Sequence, residues 1–172
     1  MGCMPVSKKY LLVLLVICMS GYVKSKENKM FDKLARQHET VDTAQFTASD
    51  YHPGLLKHIV LFKYKRGVTQ AEKDAVTARF LSLKRTIRQK EISPYILSIV
   101  EGAQNSGEGV SRGFEHGFIV TFKSEGDRNF YVGKPIVMAP GYYDEAHEAF
   151  KQFVRPLLNE DNGVLVFDFS LN

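Results

Sequence analysis

Tryptophan is absent from this chain, and only two of its 172 residues are cysteine, Cys3 and Cys18. Two thiols so close to the N-terminus exclude a disulfide framework or a thiolate-ligated metal in the body of the protein. Strong charge of one sign is also missing. The formal net charge is +4, with Lys and Arg interleaved with Asp and Glu. A chain of this kind has a solvated surface rather than a nucleic-acid footprint. Apolar runs are short: the longest, Leu11–Met19 (LLVLLVICM), falls below the roughly 20 residues of a comfortable membrane span. Several motifs are missing as well. There is no P-loop, GxGxxG, GxSxG, HxH or HExxH. The glycine-rich stretch Ser106–Gly113 joins two strand patterns and opens no helix, so it is no phosphate cradle.

What is present begins with an export pattern. Lys8 and Lys9 precede Leu11–Met19, and the small residues Ser20 and Gly21 follow. This order reads as a secretory signal over residues 1–21, and the expected location is exported: periplasmic, secreted or envelope-anchored. Cleavage near Ser20 would remove both cysteines and two lysines but no acid, taking the charge from +4 to +2. Ile17 before Cys18 is bulky for a lipoprotein box, and Val6 stands where a myristoylation motif wants Ser or Thr. A membrane is expected only through this segment, if it stays uncleaved or lipidated. Residues 22–54 read as a polar linker with one amphipathic turn at Met30, Phe31 and Leu34, ending in the turn signal Pro53-Gly54.

Residues 55–172 carry a folded domain, in line with a total length suited to one. Lys57–Lys65 (KHIVLFKYK) is a strand by its β-branched and aromatic content. Thr69 with Glu72 forms a capping box. Ala75, Val76, Phe80, Leu83 and Ile87 follow at helical spacing, and that helix is expected to run to about Lys90, before Ser93-Pro94. Tyr95–Gly102 and Phe114–Lys123 are further strands. Ser124 caps a short helix, Lys134–Gly141 is irregular, Asp144 caps a second helix, and Val164–Ser170 is the last strand. The order β-α-β-β-α-β is that of an α+β, ferredoxin-like protomer. Both strand faces are apolar: His58, Val60, Phe62 and Tyr64 alternate with Ile59 and Leu61, and Phe118, Val120 and Phe122 lie on one side of the third strand. Helices cover one sheet face. A second copy of the sheet is the simplest cover for the other, so a homodimer is expected.

These same segments, Lys57–Lys65, Glu115–Phe122 (EHGFIVTF), Ala146–Leu158 (AHEAFKQFVRPLL) and Val164–Phe169 (VLVFDF), resemble the stress-responsive α/β-barrel (Dabb) family in order and spacing. The resemblance implies a dimeric α/β barrel. It also implies a site, by similarity to a plant polyketide cyclase of the family. The family's strand-one histidine matches His58, its strand-three histidine His116, its tyrosine Tyr131, and its last-helix histidine His147. Fifteen residues separate Tyr131 from His147, including Pro135, Pro140, Tyr142 and Tyr143, far more than in that relative. Either of these tyrosines is therefore an alternative hydroxyl near His147.

Two functions compete. One is a dimer binding a small apolar ligand near the sheet, lined by His58, His116, Phe62, Phe118, Tyr142 and Tyr143, without turnover. The other is a cyclase- or isomerase-type enzyme acting on a carbonyl compound, with His147 as base and Tyr131 as hydrogen-bond donor to the developing enolate oxygen. A third reading is a purely structural or interaction module. No cofactor is expected, and no metal, because the three histidines come from separate elements. His38 and His52, in the polar leader, are expected to lie in solvent without a role.

Overall fold

The computed structural model describes residues 29–171, so the export segment, Cys3 and Cys18 lie outside the described residues. Among the described residues no helix is long and apolar enough to cross a membrane. The chain forms α1 (Lys29–Thr40), α2 (Thr43–Phe46), β1 (Pro53–Phe62), α3 (Gln70–Ser82), β2 (Ser98–Ala103), β3 (His116–Ser124), α4 (Glu125–Val132), α5 (Glu145–Val154) and β4 (Val164–Ser170). The four strands make one antiparallel sheet in the order β2-β3-β1-β4. This is the ferredoxin-like arrangement that the element order implies.

Local signals place the helices. Thr69 and Glu72 close the capping box of α3 reciprocally, Ser124 caps α4 by accepting from the Asp127 amide, and Asp144 caps α5 by accepting from the His147 amide. The first of these helices is shorter than its pattern suggests. It stops at Ser82 in a 3₁₀ turn, Leu83–Arg85, and Thr86 turns extended. Ile87 therefore leaves the apolar stripe, is half exposed, and bridges to Pro94 instead.

On the helix-covered sheet face, Phe62, Phe80, Phe118 and Phe150 form an aromatic core. Phe80 stacks on Phe118 with ring centres 4.0 Å apart, and Phe150 meets Phe80 edge-on at 5.0 Å. The opposite face is open. Ile59 lies between Ile119 and Phe167 in register, and Val100, Leu165, Phe167 and Phe169 remain 40–58% exposed.

The stretch expected to be a polar linker holds two helices and is anchored on the domain. Phe46 is buried; its carbonyl accepts from Asn129 at 2.9 Å, and the Thr47 carbonyl accepts from Arg88 at 2.5 Å. Few apolar residues suffice here because α4 supplies the surface. Gly126 allows the approach: a Cβ there would stand 1.8 Å from the Ala48 carbonyl oxygen. Gly126→Ala is expected to cost about 1–3 kcal/mol, as overpacking does. A thermal melt lower by several degrees, with faster amide exchange over residues 46–51, would show it.

Candidate ligand-binding site

A cavity of about 1040 Å³ lies between the sheet and the α4–α5 layer, under the β1–β4 edge. It exists because the helix layer does not reach over β4, whose helix-side residues Val164 and Val166 keep about half their surface. Phe31 and Leu34 of α1 contribute to its mouth. Most of its wall is carbon, including Val60, Phe62, Phe150 and Val154.

Polar groups gather at one end. The register of β1 and β4 sets His58 opposite Asp168. His58 Nδ1 donates to Asp168 Oδ1 at 2.7 Å, since an ionised carboxylate only accepts. Asp168 Oδ2 accepts from an Arg128 terminal nitrogen at 2.7 Å, and Arg128 Nε donates to Asn129 Oδ1 at 3.0 Å. Burial pushes the Asp168 carboxyl up. The hydrogen bond and charge of His58, with the Arg128 guanidinium, outweigh that and hold it below the usual carboxylate range.

His147 enters from the first turn of α5. Its Nδ1 faces the Tyr131 carbonyl oxygen at 2.6 Å and must donate to it, leaving Nε2 as the unprotonated nitrogen. Burial drives the imidazole down to about 3, helped by the charges of Lys151 and His58, so the ring is neutral at physiological pH. The Tyr131 ring stacks on His147 at 3.7 Å and meets His58 edge-on at 5.4 Å. The Tyr131 hydroxyl is buried without a hydrogen-bond partner among the described residues. Burial, then Asp144 and Asp168, keep the phenol protonated by pushing it well above its ordinary range.

The remaining candidates separate. Of the residues expected to line the site, His58 and Phe62 do so, as does His147, the expected base. Phe118 is fully buried in the aromatic core. Tyr131 lies behind His147 rather than on the wall. Tyr142 is exposed, and Tyr143 packs on Gly133 beside Lys134, so neither reaches the cavity. His116 does not join His58 either. It sits opposite Phe62, four residues along β1, or about 13 Å at strand rise. There it lines a separate, polar cleft between β2, β3 and α3. Its Nε2 donates to Glu101 at 3.0 Å and its Nδ1 accepts from the Tyr64 hydroxyl at 2.9 Å. Both ring nitrogens are satisfied, and burial keeps Tyr64 a donor by raising its phenol strongly.

His38 bonds Thr43 at 3.0 Å, and His52 stacks on Tyr51 and pairs with Glu125, both away from the cavity. No cluster of three or more His, Cys, Asp or Glu among the described residues is placed to hold a metal ion. Asp168 and Arg128 were not anticipated. An acid inside the apolar strand VLVFDF was the available signal for the first, since such a carboxylate needs a partner. Nothing local marked Arg128.

A β-α-β-β-α-β protomer with one helix-covered and one open sheet face defines the class as a ferredoxin-like domain. The chain belongs to the Dabb family, the stress responsive A/B barrel domain, whose sequence model matches residues 56–171. Solved structures agree on the fold. The hydroxynitrile lyase of Passiflora edulis is 23% identical, over 70% of this chain and 95% of that one, with a TM-score of 0.53. A dimeric ferredoxin-like protein of unknown function from Jannaschia sp. is 19% identical, over 69% and 100%, at 0.52. A hypothetical Arabidopsis thaliana protein is 23% identical, over 70% and 91%, at 0.51. No curated protein matches the sequence.

Proposed function

We propose that this domain binds a small, mainly apolar ligand in the cavity under β1 and β4, with the ligand's polar end against His58 and His147. The observation that carries this reading is a largely carbon-walled space of about 1040 Å³ with His58, His147, Arg128 and Asp168 gathered at one end. That is the design of a small-molecule pocket, where apolar surface supplies affinity and a few polar atoms fix orientation. We propose further that two copies pair through the open sheet faces. The exposed Phe167, Phe169, Leu165 and Val100 support this, as does the description of the Jannaschia protein as dimeric. The order of residues 1–21 adds export to the proposal.

Uptake of the neutral fluorophore N-phenyl-1-naphthylamine tests the binding reading. It is expected to bind at micromolar concentration with a blue-shifted emission. Val166→Trp, which fills the cavity from the edge strand without touching the core, is expected to weaken uptake at least about tenfold, the loss of roughly 1.4 kcal/mol. Unimpaired uptake by that variant would remove the cavity from the account.

The His58–Asp168 pair favours a second reading, proton transfer next to a carbonyl group. Asp168 fixes the His58 tautomer with its lone pair on Nε2 and sets a carboxylate where positive charge develops when that nitrogen takes a proton. His147, given the base role from sequence, is less suited to it because burial disfavours its protonated form so strongly. The Tyr131 hydroxyl, given the donor role from sequence, is protonated and unpartnered but lies off the cavity wall, which leaves the Arg128 edge as the donor nearest the His58 imidazole. Under this reading His58→Ala lowers turnover of a carbonyl substrate far more than it lowers fluorophore uptake.

A further inference from the structure

We infer that the ligand is an anionic amphiphile, a monocarboxylate on an apolar tail, and that Arg128 selects it. The inference rests on the cavity being the binding site. Arg128 projects from α4 to the polar end of the cavity and is itself buried, with 7% of its surface exposed. Its Nε is committed to Asn129 and one terminal nitrogen to Asp168; the other terminal nitrogen has no partner among the described residues. A guanidinium carries five N–H donors, so several remain for a ligand. Asp168 balances the guanidinium charge, so what Arg128 offers a ligand is its remaining N–H edge, next to the His58 imidazole. The polar end thus holds one carboxylate against one guanidinium and two imidazoles.

The positive charge in excess lies elsewhere on the cavity wall. Lys134 and Arg155 stand there without a carboxylate within 4.0 Å among the described residues, whereas Lys65 and Lys151 are paired with Glu160 and Glu148. Free N–H donors of Arg128 beside the imidazoles, with unpaired cations elsewhere on a largely carbon wall, fit an anion on an apolar tail. The edge of one guanidinium matches the planar fork of a carboxylate. A phosphate dianion wants more donors than this site offers. The nearest helix N-terminus, that of α5, is closed by its own Asp144, which accepts from the His147 amide at 3.0 Å.

The experiment displaces N-phenyl-1-naphthylamine from the full chain with dodecanoate, dodecanol and dodecyl phosphate, each below its micellar concentration. Because each ratio is taken on a single variant, the affinity for the fluorophore cancels. Dodecanoate is expected to displace at a concentration at least about tenfold lower than dodecanol, the discrimination of one charge-assisted pair. Arg128→Met should bring that ratio close to one. Arg128→Lys, which keeps a charge for Asp168 but lacks the forked edge, should leave it at roughly threefold and covers the case in which the Met variant does not fold. Equal displacement by acid and alcohol in the wild type, or a ratio that survives both substitutions, overturns the role of Arg128. Stronger displacement by the phosphate overturns the carboxylate. Failure of the wild type to take up the fluorophore at all overturns the cavity reading itself, a result distinct from the others.

Discussion

Phe167→Asp is expected to leave a folded monomer where the wild-type chain sediments as a dimer at 10 µM. In the isolated protomer Phe167 is 58% exposed, beside Ile59 in the register of β1 and β4. Its replacement removes no contact from the aromatic core, so the effect falls on assembly. A buried Phe side chain contributes about 2–3 kcal/mol. A two-fold interface uses the residue twice, so the dimer loses roughly 4–6 kcal/mol, or about 10³–10⁴ in Kd. Two carboxylates facing an apolar sheet add a desolvation cost to this. Sedimentation velocity, with circular dichroism to confirm the fold, gives the answer. A wild type that already runs as a stable monomer would remove the proposed pairing altogether.

Asp168→Asn is expected to destabilise the protein by about 3–5 kcal/mol at pH 7. That is the usual cost of leaving a buried charge unpaired, and here the charge is Arg128, whose side chain is 9% exposed. The amide keeps only one acceptor oxygen, which cannot serve both His58 and Arg128, and turns an N–H donor towards the other. The pH dependence separates this from a general packing defect. Because the folded-state pKa of Asp168 is depressed, the unfolded chain binds the proton more readily. The stabilisation is then fully present above the unfolded value, about 3.9, and is lost as pH falls through the lower folded value. The gap between wild type and variant should be flat from pH 7 to about 5 and close only below about 4. Urea titrations at several pH values, compared at each pH, would reveal it. A gap that shrinks between pH 7 and 5 would assign the effect to another group. His147 does not confound the comparison. Its own depressed value makes both proteins lose stability as pH falls below 6.5, and that loss is common to the two.

The strands and caps were legible in the sequence because their signals are local. Val164–Ser170 follows an Asn-Gly turn and is a strand with those bounds, and Thr69, Ser124 and Asp144 each start a helix where the pattern puts them. The open sheet face was legible too, since alternation along a strand distributes residues between two faces regardless of what covers them. Three features escaped. α3 ends at Ser82 although Ile87 continues its period, since an exposed helical turn there has no core to pack on. α1 and α2 have a polar composition and are anchored through Asn129 and Arg88, distant in sequence. The third is the histidine set. His58 and His116 occupy the same sheet face, but four residues of strand lie between them, and each meets different partners.

Sequence alone therefore determined the element order, the two apolar sheet faces and the presence of imidazoles in apolar strands. These follow from periodicity and capping, which depend on neighbours within a few residues. Tertiary structure alone decided that His58 meets Asp168 and, through it, Arg128, and that His116 spends both its nitrogens elsewhere. Those outcomes depend on the register between β1 and β4 and on the reach of α4 across the sheet, between residues 40 and 110 positions apart along the chain. No local pattern encodes such distances; packing of the whole sheet sets them.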